Sequence, residues 1–330
     1  MTGSDPTTVR TRCYRNGTLD EEGFALDAVS HHLQDKSAVV WIDLCAPDLT
    51  ELQLIADELG LHELAVEDAT NDRQRPKYHR YAGHDFLTAY AVRLDRQTGQ
   101  LVTGEIAAFI MSSVLITVRK DDEFPIASLT ERWDDNADLT RYGVGALVHG
   151  LLDHLVDGHF DAVESLDDEM EQLEDMLFDH RQHDGDIQRR SFELRKSVVH
   201  LRRVVLPMRE VLNTLMHRDV GLVPPEMVPH FQDLYDHVLR ATEWTESLRD
   251  LIATVVETNL ALQGNRLNIT TRKLTSWAAI IAVPTAVTGF YGQNLPYPGF
   301  AQDSGVLTSS AIIVALSGGL FLTFKRKGWL

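Results

Sequence analysis

The chain has 330 residues, 24% charged and 44% hydrophobic, which suits a folded protein of about two domains and excludes wholesale disorder. Asp and Glu outnumber Lys and Arg by 49 to 31, a formal net charge of −18. That balance disfavours nucleic acid as a partner, since phosphate binding needs basic surface; it is compatible with attracting cations and also serves plain solubility.

Residues 1–125 read as mixed α and β. The start, "MTGSDPTTVRTR", is polar and shows no signal-peptide pattern. Cys13 and Cys45 lie outside any CxxC spacing, so a reducing compartment without a disulfide framework is expected. The segments 37–44, 85–94, 104–111 and 113–120 are short and rich in apolar, β-branched and aromatic residues, and predict strands. Between the first two, "DLTELQLIADELGL" (48–61) has helical periodicity, with Leu52, Ile55 and Leu59 on one face and Asp48 or Thr50 near its start.

From about residue 140 the pattern is helical. Val163, Leu166, Met170, Leu173 and Leu177 form a 3-4 seam on a strongly acidic helix. "HRQHDGD" (180–186) predicts a break, and a basic helix with Arg189, Arg190, Arg195 and Arg202 follows. Together they predict a helical hairpin with complementary faces. "VPPE" (223–226) opens a third helix that runs unbroken into an uncharged stretch, 274–292. A second uncharged stretch covers 306–324. Each stretch is ~28 Å long as a helix, enough to span a hydrocarbon core. Arg272 and Lys273 precede the first, Lys325, Arg326 and Lys327 follow the second, and the connection carries no Lys or Arg. The excess of basic residues on one side predicts a membrane hairpin with both termini cytoplasmic. A buried core hairpin is the competing reading.

Several segments resemble a known family. "FYGQN" followed by "PYPG", at the outer end of the first span, resembles the Gly-Met-Asn signature of the CorA magnesium channel family. "EDATNDRQRPKYHRY" (67–81), "QDLYDH" (232–237) and the ending "FKRKGWL" are similar to further segments of that family, in order. The resemblance implies an α+β cytoplasmic domain, long stalk helices and a two-helix transmembrane hairpin, assembled as a homopentameric, funnel-like channel. It divides the chain into 1–140, 141–273 and 274–330. The implied function is conduction of hydrated divalent cations, Mg²⁺ foremost, with Mg²⁺ both cargo and regulator and no organic cofactor. The implied partners are further copies of the chain and the bilayer of the cytoplasmic membrane.

On that resemblance Gly292, Gln293 and Asn294 form the ion entry. The methionine of the signature is Gln293 here, which bears on ion selectivity. Neutral amides suit the task, because Mg²⁺ gives up water reluctantly and amides can hydrogen-bond its hydration shell without trapping it. An asparagine in a turn also has ordinary turn chemistry to perform. Stepping inward at helical spacing, Thr285, Ala282, Ala278, Leu274, Thr271 and Asn268 form a neutral, mostly small face. It fits a narrow pore, with Leu274 as an apolar constriction, and would equally serve helix packing. In the resembled family, carboxylates between neighbouring cytoplasmic domains bind Mg²⁺ and hold the channel shut. Asp233 matches that position, with Asp68 or Glu67 as its partner. His180 and His183 are three apart with Asp184 and Asp186 near, but they fall in a predicted exposed turn and read as a chance cluster rather than a zinc site.

No HExxH, Walker loop, GxSxG or GxGxxG is present, so an enzyme is the least supported class. Two alternatives remain beside the Mg²⁺ channel. One is a Zn²⁺, Co²⁺ or Ni²⁺ transporter of the same architecture, proton-coupled or not. The other is a non-conducting, membrane-anchored oligomeric sensor or scaffold.

Overall fold

The computed structural model describes residues 8–71, 74–95, 98–178, 184–217, 221–293 and 296–330. The chain forms two compact units, Met1–Val255 and Val256–Leu330. The first is built on one sheet of β1 (Thr8–Arg15), β2 (Thr18–Glu22), β3 (Ala38–Cys45), β4 (Lys77–Arg80), β5 (Asp85–Asp95), β6 (Gln100–Ile110) and β7 (Val114–Arg119). The spatial order is β2-β1-β3-β7-β6-β5-β4. Only β3 and β7 run parallel, with Val40 opposite Val114.

Alternation along the strands makes two cores. Trp41, Ile106, Ala108 and Ile110 pack on one face. Val40, Ile42, Ala107 and Phe109 pack on the other, under α1 (Val29–His32), α2 (Leu49–Leu59) and α3 (Glu63–Thr70). A period of two sends neighbours to opposite faces, so each strand stitches both layers together. The first face is covered by α4 (Ile126–Asp135), α5 (Ala137–Thr140), α6 (Val144–Phe178), α7 (Asp184–Leu215) and the start of α8 (Val228–Tyr291).

The predicted strands appear as β3, β5, β6 and β7, with β6 starting earlier, at Gln100. β1, β2 and β4 were not predicted, and for β2 and β4 the reason is physical. All five residues of β2 are exposed; in β4, Lys77 and Tyr78 are half-buried and His79 and Arg80 exposed. Neither offers a buried face to leave an alternating apolar signal. The helix expected over 48–61 is α2, and Asp48 is its cap: its carboxylate accepts from Glu51 N–H at 2.7 Å while Glu51 reaches back to Asp48 N–H at 3.0 Å.

Across the parallel pair lies a buried ion pair. Arg119 is 2.8 Å from Asp43 through Nη2, and Thr117 Oγ1 donates to the same carboxylate at 2.7 Å. Trp41 Nε1 donates to Thr117 Oγ1 at 3.1 Å, so the charges sit inside a satisfied network.

The acidic and basic helices are α6 and α7. All five seam residues are buried: Val163, Leu166, Met170, Leu173 and Leu177. Leu194, Val198, Leu201 and Val205 are buried on α7. Arg190 pairs with Glu169 across the hairpin at 3.2 Å, whereas Arg189 turns to Asp186 and Glu193 of its own helix. Of the predicted break, residues 180–183, His180 and His183 included, lie outside the described residues; α7 begins at Asp184.

The second unit holds the end of α8, a turn, and α9 (Asp303–Arg326). Both helices are long and apolar enough to cross a membrane, and only 6% of either apolar window is buried within the chain. A core hairpin of a soluble protein would be mostly buried, so the competing sequence reading loses its support.

Candidate functional site

The six residues predicted for the neutral face, Asn268, Thr271, Leu274, Ala278, Ala282 and Thr285, are all exposed on α8. At about 100° per residue they occupy an arc of roughly 120°. Ser276, Ile280, Val283, Val287 and Tyr291 fall on the opposite side and are buried or half-buried. Within its own chain the helix therefore has a covered apolar side and an uncovered side of small and neutral polar residues. Such a side suits either close helix contact or a watery passage.

The hydroxyls on this stretch bond back to the helix. Thr285 Oγ1 donates to Ile281 O at 3.2 Å and Thr288 Oγ1 to Pro284 O at 2.8 Å. With its proton committed, Thr285 retains lone pairs as acceptors. A hydrated cation presents water protons, so acceptors are the complementary lining.

Beyond Tyr291 the helix tightens: Gly292 N–H donates to Thr288 O at 2.8 Å and Gln293 N–H to Phe290 O at 3.3 Å. Gly292 and Gln293 are exposed. Asn294, the remaining predicted entry residue, lies outside the described residues. The turn that follows is held by aromatic edges, Tyr291 to Tyr297 at 4.7 Å and Tyr297 to Phe300 at 5.4 Å between centroids. A Cβ at Gly305 would stand 2.4 Å from Gly299 O, so the return into α9 closes this tightly only with glycine there. Asp303, the one acid of the connection, sits in the first turn of α9, where a negative charge suits the helix dipole.

The predicted regulatory carboxylates are separately placed. Asp233 is on α8 with its side chain 76% exposed, 3.8 Å from His237 Nε2. Asp68, on α3, is engaged by Lys77 Nζ at 2.7 Å. Glu67 beside it is exposed and takes one long bond, 3.5 Å, from Asn71 Nδ2. No group of three or more His, Cys, Asp or Glu among the described residues is placed to hold a metal ion within one chain. Near Asp233, His149 and His230 meet edge to face at 5.8 Å, and burial pushes the His149 pKa down against the pull of Asp153.

Sequence reasoning missed His237 and Lys77 as neighbours of these acids. The spacing Asp233-x₃-His237 on a helix was available as a signal. The Lys77 contact was not, because it needs β4 to fold back beside α3.

A mixed α/β unit followed by two helices long and apolar enough to cross a membrane has the architecture of a two-span membrane protein. The comparisons specify which. Residues 36–326 match the model of the CorA-like Mg²⁺ transporter protein family, and the chain belongs to that family, whose members are transporters rather than enzymes. It is 31% identical over 297 residues to a candidate metal ion transporter of Bacillus subtilis, covering 90% of this chain and 91% of that one. It is 28% identical to the cobalt/magnesium transport protein CorA of Thermotoga maritima, covering 90% of this chain and 85% of that one. The complete structure of the CorA magnesium transporter from Methanocaldococcus jannaschii superposes with a TM-score of 0.80 at 20% identity, covering both chains fully. The full-length CmaX protein gives a TM-score of 0.75 at 18% identity, covering 99% of each chain. The fold is thus that of full-length CorA, and the protein is a membrane-located divalent cation transporter of this family.

Proposed function

We propose that the chain is one subunit of a homopentameric channel that passes hydrated Mg²⁺ into the cell through the cytoplasmic membrane, with both termini cytoplasmic. The uncovered neutral face of α8 carries this reading. Five copies placed around an axis would line a passage with Thr285, Ala282, Ala278, Leu274, Thr271 and Asn268, entered through Gly292, Gln293 and Asn294. The names of the Thermotoga and Methanocaldococcus relatives, cobalt/magnesium transport proteins, favour these cargoes. Gln293 favours keeping a second reading open: five added amides widen the set of hydrated ions accepted, Co²⁺, Ni²⁺ and Zn²⁺ included.

Closure by cytoplasmic Mg²⁺ belongs to the same reading. Asp233 is exposed and free to face a neighbouring subunit. Opposed carboxylates repel when bare and are bridged by a divalent ion. Lys77 already neutralises Asp68, so Glu67 is the less encumbered partner of the two.

The test is uptake by proteoliposomes offered Mg²⁺, Co²⁺, Ni²⁺ and Zn²⁺ separately, with and without a proton gradient. Asn294→Ala should nearly abolish uptake without loss of assembly, and Asp233→Ala should conduct at internal Mg²⁺ that shuts the wild type. No uptake of any ion by correctly assembled wild type would leave the non-conducting sensor as the surviving reading.

A further inference from the structure

Five cations flank the two spans on one side: Arg272 and Lys273 before the first, Lys325, Arg326 and Lys327 after the second. Residues 256–330 contain only two side-chain carboxylates, Glu257 and Asp303. Asp303 opens α9 at its far end, and Glu257 lies about four turns before Arg272. Among the described residues none of the five cations forms an ion pair. No side-chain carboxylate of this unit supplies a counter-charge here.

What it supplies is an aromatic platform between them. Gly328 takes φ +65°, the left-handed conformation that favours glycine. Trp329 N–H then donates back to Phe324 O at 2.9 Å, the hydrogen-bonded turn that ends many helices at a glycine. This lays the Trp329 indole on Phe324, 5.5 Å between centroids at 12°. The Arg272 guanidinium of α8 lies 6.0 Å from the indole centroid, and the Lys327 ammonium lies 5.5 Å from it. One ring therefore ties the start of the apolar stretch of α8 to the end of α9 and holds two like charges beside it. A second rung repeats the pattern, with Lys325 at 5.9 Å over Phe321 and Phe321 at 6.4 Å from Trp277.

Bringing five cations together with no side-chain acid among them costs free energy that a bound anion relieves. The apolar stretches begin at Leu274 and end at Phe324, so the cluster stands at headgroup level, where Trp is enriched. We propose that Arg272, Lys327 and Trp329 form a binding site for the phosphate of an acidic phospholipid in the cytoplasmic leaflet. The guanidinium offers two parallel N–H donors to phosphate oxygens, the ammonium adds a point charge, and the indole lies against the first acyl carbons. A zwitterionic headgroup brings its own cation into a field of five and is disfavoured. The site requires that α8 and α9 cross a bilayer; it does not require that any ion passes, so lipid binding and ion uptake can fail independently.

The experiment is native mass spectrometry of the full-length protein in neutral detergent. Phosphatidylglycerol and phosphatidylcholine of matched acyl chains are titrated in, with inorganic phosphate as competitor. Wild type should bind phosphatidylglycerol about tenfold more tightly than phosphatidylcholine, and R272Q/K327Q should lose about that factor. Trp329→Ala keeps all five charges and should weaken phosphatidylglycerol about threefold or more, which keeps the test decisive if the double variant does not assemble. Equal binding of the two lipids by wild type overturns the proposal. So does unchanged phosphatidylglycerol binding in every variant that assembles, or its displacement by millimolar phosphate, which would mark a free-anion site.

Discussion

His159 shows how one buried side chain sets a pH limit. It is fully buried on α6, and its Nε2 lies 2.9 Å from the backbone oxygen of Tyr90. An imidazole facing a carbonyl must donate there, so Nε2 carries the proton and Nδ1 is bare; Nδ1 has no hydrogen-bond partner. Burial lowers the pKa to about 4 from 6.5. The unfolded chain therefore binds a proton between those values that the folded chain refuses. The stabilisation is fully present above pH 6.5 and is lost as pH falls toward 4, about 3 kcal/mol for this group. The thermal midpoint of the first unit should fall by roughly 6–12 °C over that window on this account. His84, His149, His154 and His200 are shifted the same way by burial and steepen the fall. His159→Gln keeps a donor for Tyr90 O without a titration, so its midpoint should depend less on pH. An unchanged pH slope in that variant would assign the acid limit to other groups.

Between α6 and α7 the sequence advertises two attractions, an apolar seam and opposite charges, and their magnitudes differ. Leu166 is fully buried in the seam, and Leu166→Ala should cost ~2–5 kcal/mol. The Glu169–Arg190 pair has side chains 23% and 40% exposed, where such pairs contribute about 1 kcal/mol or less. Glu169→Gln should therefore shift the melting midpoint far less than Leu166→Ala, and adding salt should matter little to the hairpin. The reverse order would make the charges the principal clamp. The same contrast explains what the sequence disclosed. The seam, α2 and the central strands were legible because burial on one face imprints a period of 3.6 or 2. β2 is wholly exposed, and leaves no such imprint. The α8 face was legible for a different reason, a run of neutral residues at helical spacing beside a recognisable turn. The Trp329 platform was not, since it joins Arg272 to a residue 57 positions later through the fold of a single glycine turn.

At the scale of the assembled molecule, the uncovered side of α8 asks for neighbours. Leu274 is 72% exposed, within a face that elsewhere is too small and polar to be the natural choice against lipid tails. If copies surround an axis there, Leu274→Cys should form disulfide-linked dimers under mild oxidant in the membrane, in a background lacking Cys13 and Cys45. Val287→Cys, on the covered side, should not. Equal cross-linking at both positions, or a monomer in native mass spectrometry, would remove the axis. Gln293→Met is expected to retain Mg²⁺ uptake and to sharpen discrimination against Ni²⁺ and Zn²⁺, read as the ratio of initial uptake rates.

Neither 274–292 nor 306–324 contains an Asp, Glu, His, Lys or Arg. If the proposed passage conducts, its lining offers no ionisable group to carry a proton the other way, and each Mg²⁺ that crossed would move two uncompensated charges. An interior-negative potential of ~100 mV then contributes about 4.6 kcal/mol to inward movement, at 2.3 kcal/mol per charge. Proteoliposome uptake should follow an imposed potassium diffusion potential and be indifferent to a proton ionophore once that potential is clamped. On this basis the transporter is, in electrical terms, a battery-charged accumulator whose equilibrium gradient is set by voltage: the same 4.6 kcal/mol corresponds to about a 2,000-fold excess of free Mg²⁺ inside. On that reading a gate on the cytoplasmic side would be a necessity for the cell, because such a pore would have no chemical means of stopping short of that excess.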